Sequence, residues 1–294
     1  MNSNYSVSVI ITTKNRKLFL QRAIKSILSQ SLLPEEIIII DDNSNESEKI
    51  TLSEIEKYKK GNNINFFTHY NELSMGGNYS RNKGFELSSG DIIMFLDDDD
   101  YWLPNKIEDQ VNIFTPKTGL VYTGKQFVSS KNLNSILRLS KENFNNHNDI
   151  WCGNFPGSTS GVAINRNFFC LAGKFDERLN SLQDYDLWIR IINISNAYWD
   201  KKYNLIYTIH DNSKNQISSN VNKHIESIKY IKNKYQHEIE YLPFRKKRIF
   251  LSRMEHIIAR AYRRNNDIRF FKHYLKSLFF YPSLRTFILP FYYK

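Results

Sequence analysis

The chain has 294 residues, a hydrophobic fraction of 41% and a formal net charge of +11. This length and apolar content suffice for a large α/β domain with an appendage, and they exclude global disorder. No window of about 18 uncharged apolar residues occurs, so no transmembrane helix is predicted. We also expect no signal peptide, because the N-terminus has no basic segment followed by a cleavable apolar one. Two cysteines, Cys152 and Cys170, are too few for a disulfide framework and indicate reduced thiols in the cytoplasm.

The positive charge is concentrated near the C-terminus. Residues 223–294 contain 17 Lys and Arg against 5 Asp and Glu, whereas the preceding 222 residues contain 24 against 25. A uniformly basic nucleic-acid-binding protein would not show this distribution, and we expect no nucleic-acid partner. The change in composition predicts a domain over 1–222, followed by a basic, aromatic and helical region over 223–294.

Strand and helix patterns alternate along the first half of the chain. Apolar runs predict strands at 7–12, 36–44, 64–70, 91–100 and 119–124, the second and fourth ending in carboxylates. Apolar periodicity predicts helices at about 16–30, through 48–60, and through 78–90, where Gly90 closes the helix. This alternation favours an α/β fold with a mostly parallel sheet covered on both faces. The ligand site of such a sheet lies at the carboxyl ends of its strands.

Polar residues follow three of these strands where each one ends. They are Thr12–Asn15, Asp41–Ser44 and Asp97–Asp100. Adjacent carboxylates repel each other unless a cation or a pKa shift relieves the repulsion, and Mg²⁺ or Mn²⁺ binds one or two carboxylates together with phosphate oxygens. The alternative is a solvated acidic turn, with Asp100 capping a helix that begins near Leu103. No glycine-rich dinucleotide motif or P-loop follows the first strand.

Four segments resemble family 2 glycosyltransferases in their order and spacing: VSVIITTKNR, IIIIDDNS, RNKG…GDIIMFLDDDDYWLP and LQDYDLWIR. The resemblance covers roughly residues 5–215 and implies the GT-A fold, a Rossmann-like, mostly parallel central sheet flanked by helices. Residues 223–294 would form a C-terminal helical extension. The implied activity is a metal-dependent, inverting transfer of a sugar from a nucleotide donor, typically a UDP-sugar. The implied setting is synthesis of a bacterial surface polysaccharide such as O-antigen or capsule.

The resemblance also assigns nucleotide-binding residues. Asp42 matches the carboxylate that accepts a hydrogen bond from the uracil ring, and Thr12 matches a residue beside the base. Lys14 and Asn15 belong to the turn that holds the nucleoside, although many relatives have an aromatic residue in place of Lys14. Arg81 would line the nucleotide pocket, with a solvated side chain as the alternative.

The expected cofactor is a divalent metal, Mn²⁺ or Mg²⁺. By resemblance, Asp99 is its chief ligand, Asp97 and His210 are further metal-site residues, and Asp98 contacts the ribose or assists the metal. Contacts to phosphate are also expected from Lys214 and Gln216, if their loop closes over the donor.

The expected general base is Asp184. An inverting transferase needs one base to deprotonate the acceptor hydroxyl, and Asp184 matches the base of the family. Gln183 stands where relatives often have an acidic residue, and Asp186 is the nearest competitor for the role. The implied acceptor is a saccharide or a polyprenyl-linked lipid.

Two interpretations of residues 223–294 remain open and are compatible. The region either lies on an anionic membrane, which would make the protein peripheral on the inner face of the cell membrane, or caps the catalytic domain with a basic outer face. One helical face is predicted from Phe250, Met254, Ile257, Ile258 and Ala261, and the same pattern repeats at Ile268, Phe271, Leu275 and Leu278.

Two other classes of protein stay open at this stage. A nucleotidyltransferase has a similar sheet and acidic metal site, but its usual glycine-rich loop is missing from TTKNRK. The other alternative is a non-catalytic relative that only binds a nucleotide sugar, although every expected carboxylate is retained.

Overall fold

A computed structural model describes residues 5–61, 63–142, 149–210 and 220–291. They form two compact units. Described residues up to 142, together with 156–176 and 190–210, make the first unit, and 149–155, 177–189 and 220–291 make the second. The second unit therefore takes two segments from before residue 222, and the linear division at that residue stays a prediction.

The first unit contains two β-sheets. Its strands are β1 (Val7–Thr13), β2 (Glu36–Asp41), β3 (Asn65–Tyr70), β4 (Ile92–Asp97), β5 (Tyr101–Trp102), β6 (Thr118–Tyr122), β7 (Lys125–Ser129), β8 (Asn132–Leu139), β9 (Val162–Asn165), β10 (Asn196–Trp199) and β11 (Leu205–Ile209). The larger sheet has the order β10-β6-β9-β4-β1-β2-β3, and all of its pairs are parallel except those of β9. The smaller sheet has the order β5-β11-β7-β8. The predicted α/β class with a mostly parallel central sheet is confirmed.

Helices accompany the strands of the first unit. They are α1 (Lys17–Leu28), α2 (Leu52–Lys59), α3 (Gly77–Leu87), α4 (Lys106–Val111) and α5 (Arg166–Leu171). The predicted end of α3 at Gly90 is wrong, because the helix stops at Leu87 with Ser88 as its C-cap. Gly90 has a different function, since a Cβ atom there would lie 2.5 Å from Ser8 Oγ and 2.7 Å from its backbone nitrogen. The close approach of two chain segments requires a glycine at this position.

The core of the central sheet aligns the polar strand ends. The apolar residues of β1, β2 and β4 are almost completely buried, as expected for parallel strands covered on both faces. The register of these strands places Thr12 opposite Asp97 and Thr13 opposite Asp41. The three polar strand ends of the sequence therefore meet at one edge of the sheet, as predicted.

The second unit is helical. Its helices after residue 220 are α7 (Val221–Lys234), α8 (Gln236–Tyr241), α9 (Phe244–Arg264), α10 (Phe270–Phe280) and α11 (Leu284–Phe287). The segment 177–189 adds the first turns of α6 (Gln183–Ile192). Phe250 is completely buried on α9, and the ring of Trp151 packs against it with centroids 5.7 Å apart. Among the described residues, no helix is long and apolar enough to cross a membrane.

The predicted apolar face of α9 is buried, but the corresponding prediction for α10 is wrong. Ile268, Phe271 and Leu275 are 81%, 56% and 61% exposed. Ser252 and Ser277 meet between the two helices, and each donates a hydroxyl hydrogen bond to the other's carbonyl, at 2.8 and 2.9 Å. His273 of α10 also lies 2.7 Å from Glu255 of α9. Because this serine pair faces inward, the bulky residues of α10 face outward.

Candidate functional site

The outer two of the four consecutive aspartates are held by separate partners. Asp97 Oδ1 accepts a 2.6 Å hydrogen bond from Arg81 Nη2, and Arg81 is only 7% exposed, which excludes the solvated alternative for this arginine. Asp100 is 1% exposed and accepts a hydrogen bond from the backbone nitrogen of Thr208. Its predicted function as a helix cap is wrong, since β5 follows it and Asn105 occupies the N-cap position of α4.

The inner two aspartates share one arginine. Arg16 Nη1 lies 3.2 Å from Asp98 Oδ1 and 2.9 Å from Asp99 Oδ2. Thr13 donates its hydroxyl hydrogen bond to Asp98 at 2.8 Å, and His210 Nε2 lies 2.9 Å from Asp99 Oδ2. The end of β4 is therefore a pair of adjacent carboxylates framed by a guanidinium and an imidazole.

The surroundings of these two carboxyl groups shift their pKa values in opposite directions. Burial, reinforced by the neighbouring Asp99 charge, raises the pKa of Asp98 to about 7. Burial also opposes ionisation of Asp99, but the hydrogen bond with His210 and the charge of Arg16 outweigh it and lower the pKa of Asp99. One member of the pair is therefore poised to hold a proton near neutral pH, which relieves part of the repulsion between them.

The carboxylate of Asp42 organises the loop after β3. Its two oxygens accept hydrogen bonds from the side chains of Asn71 and Ser74 and from the backbone nitrogens of Met75 and Gly76, at 2.7 to 3.0 Å. Burial opposes ionisation, but these bonds outweigh it and lower the pKa of Asp42. A carboxylate offers about four lone-pair sites. A nucleobase bound here would therefore displace one of the four donors, and the base-reading role stays a prediction.

The other residues predicted to bind the nucleotide surround the ends of β1 and β2. Asn15 has a left-handed backbone, with φ of 53°, and its side-chain oxygen accepts a hydrogen bond from the Asn45 nitrogen at 2.7 Å. Lys14 is exposed and donates to Ser74 Oγ at 2.6 Å. Thr12 is half-buried at the strand end. Asparagine tolerates the left-handed region better than most residues, so its position in the sequence suits this turn.

Asp184 and Asp186 have different surroundings in the second unit. Asp184 is half-buried, and its Oδ2 accepts a 3.0 Å hydrogen bond from Asn154. Asp186 is completely buried, and its Oδ1 accepts hydrogen bonds from Lys234 at 2.7 Å and from Tyr235 at 2.8 Å. Asp186 is thereby committed to holding α6 and α7 together. Asp184 stays the candidate base.

We call Asp97–Asp100 and the groups that bind them the acidic edge. Two of its contributors, Arg16 and Ser160, were not identified from the sequence, whereas Thr13 belongs to the predicted polar end of β1. Thr13 and Arg16 both bind Asp98, and Ser160 accepts a 3.1 Å hydrogen bond from the backbone nitrogen of Asp97. Arg16 carries the only available signal, as a cation that follows directly on the polar end of β1. Nothing in the sequence marks Ser160, which β9 and its preceding turn bring beside β4.

The chemistry of the donor set suits a divalent cation that is shared with a phosphate ligand. Among the described residues, no three His, Cys, Asp or Glu side chains converge on one metal position. Mg²⁺ and Mn²⁺, however, are commonly held by one or two carboxylates with substrate phosphates and water completing the shell. Asp99 and His210 supply an oxygen and a nitrogen 2.9 Å apart, with Asp98 adjacent. Lys214 and Gln216, which were expected to contact phosphate, lie outside the described residues.

The mostly parallel sheet, with its acidic strand end, has the architecture of the GT-A fold. Residues 8–170 match the model of the family described as "Glycosyl transferase family 2". The chain belongs to this family.

Two curated relatives illustrate the similarity. An uncharacterised glycosyltransferase of Rickettsia felis is 29% identical over 245 residues, which are 79% of this chain and 38% of that protein. The chain thus spans well under half of that relative's length. A "GalNAc(5)-diNAcBac-PP-undecaprenol beta-1,3-glucosyltransferase" of Campylobacter jejuni is 39% identical over 94 residues, which are 32% of this chain and 29% of that protein.

Two solved structures share the fold. TarS of S. aureus in complex with UDP-GlcNAc has a TM-score of 0.58 and 15% identity, covering 94% of this chain and 89% of that one. The mannosyltransferase PcManGT of Pyrobaculum calidifontis, in complex with GDP-Man and Mn²⁺, has a TM-score of 0.59 and 11% identity, covering 99% and 84%. At these identities the likeness shows the GT-A fold.

Proposed function

We propose that the protein is a metal-dependent, inverting glycosyltransferase that moves a sugar from a UDP-sugar to a saccharide or lipid-linked acceptor. The observation that carries the proposal is the pair Asp98 and Asp99 at the end of β4, with His210 Nε2 2.9 Å from Asp99. The proposed setting is the synthesis of a bacterial surface polysaccharide. The printed name of the Campylobacter jejuni relative includes undecaprenol, which supports a lipid-linked acceptor.

The residues at the end of β4 would serve the diphosphate of the donor. Asp99 and His210 would hold the metal, and Asp98 would assist it or contact the ribose. Asp97 would act through its ion pair with Arg81, which fixes the strand end. When bound, a divalent cation would neutralise the charge that grows on the leaving diphosphate. The Mn²⁺ in the PcManGT complex supports this choice of cofactor.

The nucleoside would lie against the polar ends of β1 and β2. Thr12, Lys14 and Asn15 would contact it from the first strand end, and Asp42 from the second. Arg81, buried behind them, would add positive potential. The UDP-GlcNAc in the TarS complex supports a uridine donor.

Asp184 would accept the proton of the acceptor hydroxyl on one carboxylate oxygen. Its hydrogen bond from Asn154 would keep that carboxylate oriented. Inversion requires this single base and no covalent intermediate on the protein.

The family match favours a glycosyltransferase over a nucleotidyltransferase, and one experiment tests both binding and activity. The midpoint of thermal unfolding is measured with UDP, GDP or TDP, each with and without Mn²⁺. We expect stabilisation by UDP that depends on Mn²⁺ and is lost in Asp99→Asn. The matched control, Asp267→Asn, removes a carboxylate whose described partner is Arg269 in the second unit and should leave the shift unchanged.

Turnover distinguishes the enzyme from a non-catalytic relative. A panel of UDP-sugars is incubated with the protein and Mn²⁺, and released UDP is measured. Release from at least one donor is the expected result. A UDP-dependent thermal shift without release from any donor or transfer to any acceptor would favour the non-catalytic binding protein, and no shift with any nucleotide would contradict both functions.

A further inference from the structure

The C-terminal helices of the second unit expose a set of large apolar side chains. We call this set the outer face. It consists of Ile268, Phe271, Leu275, Phe279, Leu284, Phe287, Ile288 and Phe291, each at least 40% exposed. Single exposed apolar residues are common on proteins, but a cluster of this size marks an interaction surface.

Helical spacing brings the members of the outer face together. Phe271, Leu275 and Phe279 are four residues apart along α10, so they form one stripe along its exposed side. Lys272 and Lys276 are exposed on the same helix and form a second stripe beside the first. The helix therefore presents a row of large apolar groups edged by a row of ammonium groups.

Cations predominate around the outer face, where the one carboxylate next to it in the sequence, Asp267, pairs with Arg269. Residues 268–291 contain four Lys and Arg and no Asp or Glu. A symmetric dimer through this face would bring the cations of two copies together, because such an interface pairs one patch with itself. Apolar groups edged by cations instead complement an anionic lipid surface, where aromatic rings enter the headgroup region and lysines reach the phosphates.

The length of α10 fixes the mode of contact. An α-helix rises about 1.5 Å per residue and the apolar core of a bilayer is about 30 Å thick, so the 11 residues of α10 cannot span it. We propose that the outer face is a membrane-docking surface that lies in the plane of an anionic lipid interface. This inference stands on the second unit alone and does not require the proposed transferase activity.

The test measures binding of the full chain to lipid vesicles by flotation. Vesicles of phosphatidylcholine alone are compared with equimolar phosphatidylcholine and phosphatidylglycerol. We expect binding to the anionic vesicles that weakens as salt is raised. The triple variant Phe271→Ser, Leu275→Ser, Phe279→Ser should bind at least tenfold more weakly, since the loss of only about 1.4 kcal/mol of apolar burial is a factor of ten in affinity.

Two further variants separate apolar from electrostatic contributions. Lys272→Gln with Lys276→Gln should reduce binding to anionic vesicles by roughly 30-fold, at about 1 kcal/mol for each lysine, and leave binding to neutral vesicles unchanged. The matched control, Leu52→Ser with Leu171→Ser and Ile194→Ser, removes three exposed aliphatic side chains from the first unit and should bind like the wild type.

Other results would overturn the proposal. Equal binding of the wild type to both kinds of vesicle would show that anionic lipid does not contribute to binding. Wild-type binding by the triple variant would show that the outer face is not the docking surface. If the wild type binds no vesicles but sediments as a dimer, and the triple variant sediments as a monomer, then the outer face binds a second copy of the chain. The UDP-dependent thermal shift should survive in the triple variant, so failure of docking is distinguishable from failure of the donor site.

Discussion

The acidic edge of the first unit and the outer face of the second differ in how far their side chains are exposed to solvent. The four aspartates after β4 are each bound by neighbouring groups, and Asp100 is almost completely buried. The apolar side chains of α10 are turned outward although their spacing is typical of a core. Charged groups are thus enclosed and apolar groups exposed, the reverse of the usual preference.

This contrast separates residues that stabilise the fold from residues available to a partner. A buried charge is tolerable only when hydrogen bonds and opposite charges compensate for lost water. An exposed apolar group needs no compensation in the folded chain. We therefore expect enclosed residues to affect stability when replaced, and exposed ones to affect binding or activity, which substitutions in matched pairs can test.

The largest expected difference is between Asp184 and Asp186. Asp184→Asn should reduce transfer by about 100-fold or more, the size of effect that loss of a general base produces, with UDP binding nearly unchanged. Asp186→Asn should instead destabilise the protein by about 3 kcal/mol, because it leaves Lys234 without its buried carboxylate partner. UDP release and thermal unfolding are measured on both variants. If the transfer rate of Asp184→Asn is within tenfold of the wild-type rate, Asp184 is not the general base.

The next largest difference compares two phenylalanines on neighbouring helices. Phe250→Ala should lower the free energy of unfolding by about 3 to 4 kcal/mol, since the ring is completely buried against Trp151. Phe271→Ala removes a ring that is 56% exposed and should change it by less than about 0.5 kcal/mol. Denaturant unfolding of both variants checks this. A large loss in Phe271→Ala would mean that the outer face is part of the core.

The sequence predicted the acidic edge better than the C-terminal helices for a physical reason. Parallel strands end at the same edge of a sheet, so identifying β1, β2 and β4 also places Thr12, Asp42 and Asp97 near one another. Helical periodicity identifies the apolar face of a helix, but it does not show whether that face points toward the core or toward solvent. The inward face of α10 depends on Ser277 meeting Ser252, a contact between residues 25 positions apart that no local pattern marks.

The contacts of the acidic edge were also beyond sequence analysis. Arg16 lies 82 positions from Asp98, and His210 lies 111 positions from Asp99. The strand order and the second sheet bring them together, and most of that sheet was not predicted. Resemblance identified His210, whereas the contribution of Arg16 required the structure.

Asp42 tests whether an enclosed charge of the site also stabilises the fold. Asp42→Asn removes acceptors for the loop at 71–76 and should lower the free energy of unfolding at neutral pH by about 2 kcal/mol. Because the folded-state pKa is lowered, the ionised group stabilises the protein above its unfolded pKa of 3.8, and this contribution is lost as pH falls. Urea unfolding from neutral pH to about pH 3 should show the variant approaching the wild type. A constant difference would contradict the assigned charge.

Lys106 is a completely enclosed cation of the first unit and gives the smallest expected change in stability among the enclosed charges. It is completely buried, donates to Gln110 Oε1 at 2.8 Å, and lies 3.9 Å from the centroid of the Trp102 ring. Burial lowers its pKa to about 7, although the charge of Asp200 opposes this. Lys106→Met keeps the length of the side chain and removes the amine. We expect it to stabilise the protein by about 1 kcal/mol near neutral pH, since buried ionisable groups are often less stable than apolar replacements.

The pH dependence of this variant distinguishes a buried amine from a simple packing effect. Between the folded pKa of about 7 and the unfolded value of 10.5, the unfolded chain binds more protons at Lys106 than the folded one. The free energy of unfolding of the wild type therefore rises with pH over that range. The extra stability of Lys106→Met should become smaller and then change sign, because at high pH the main difference is the hydrogen bond to Gln110 that the variant lacks. Lys174→Met, at a partly exposed surface ion pair with Glu86, is the matched control and should show no such trend. An advantage independent of pH would mean that Lys106 is not enclosed as described, and the contrast between enclosed charges and exposed apolar groups would then apply to the acidic edge alone.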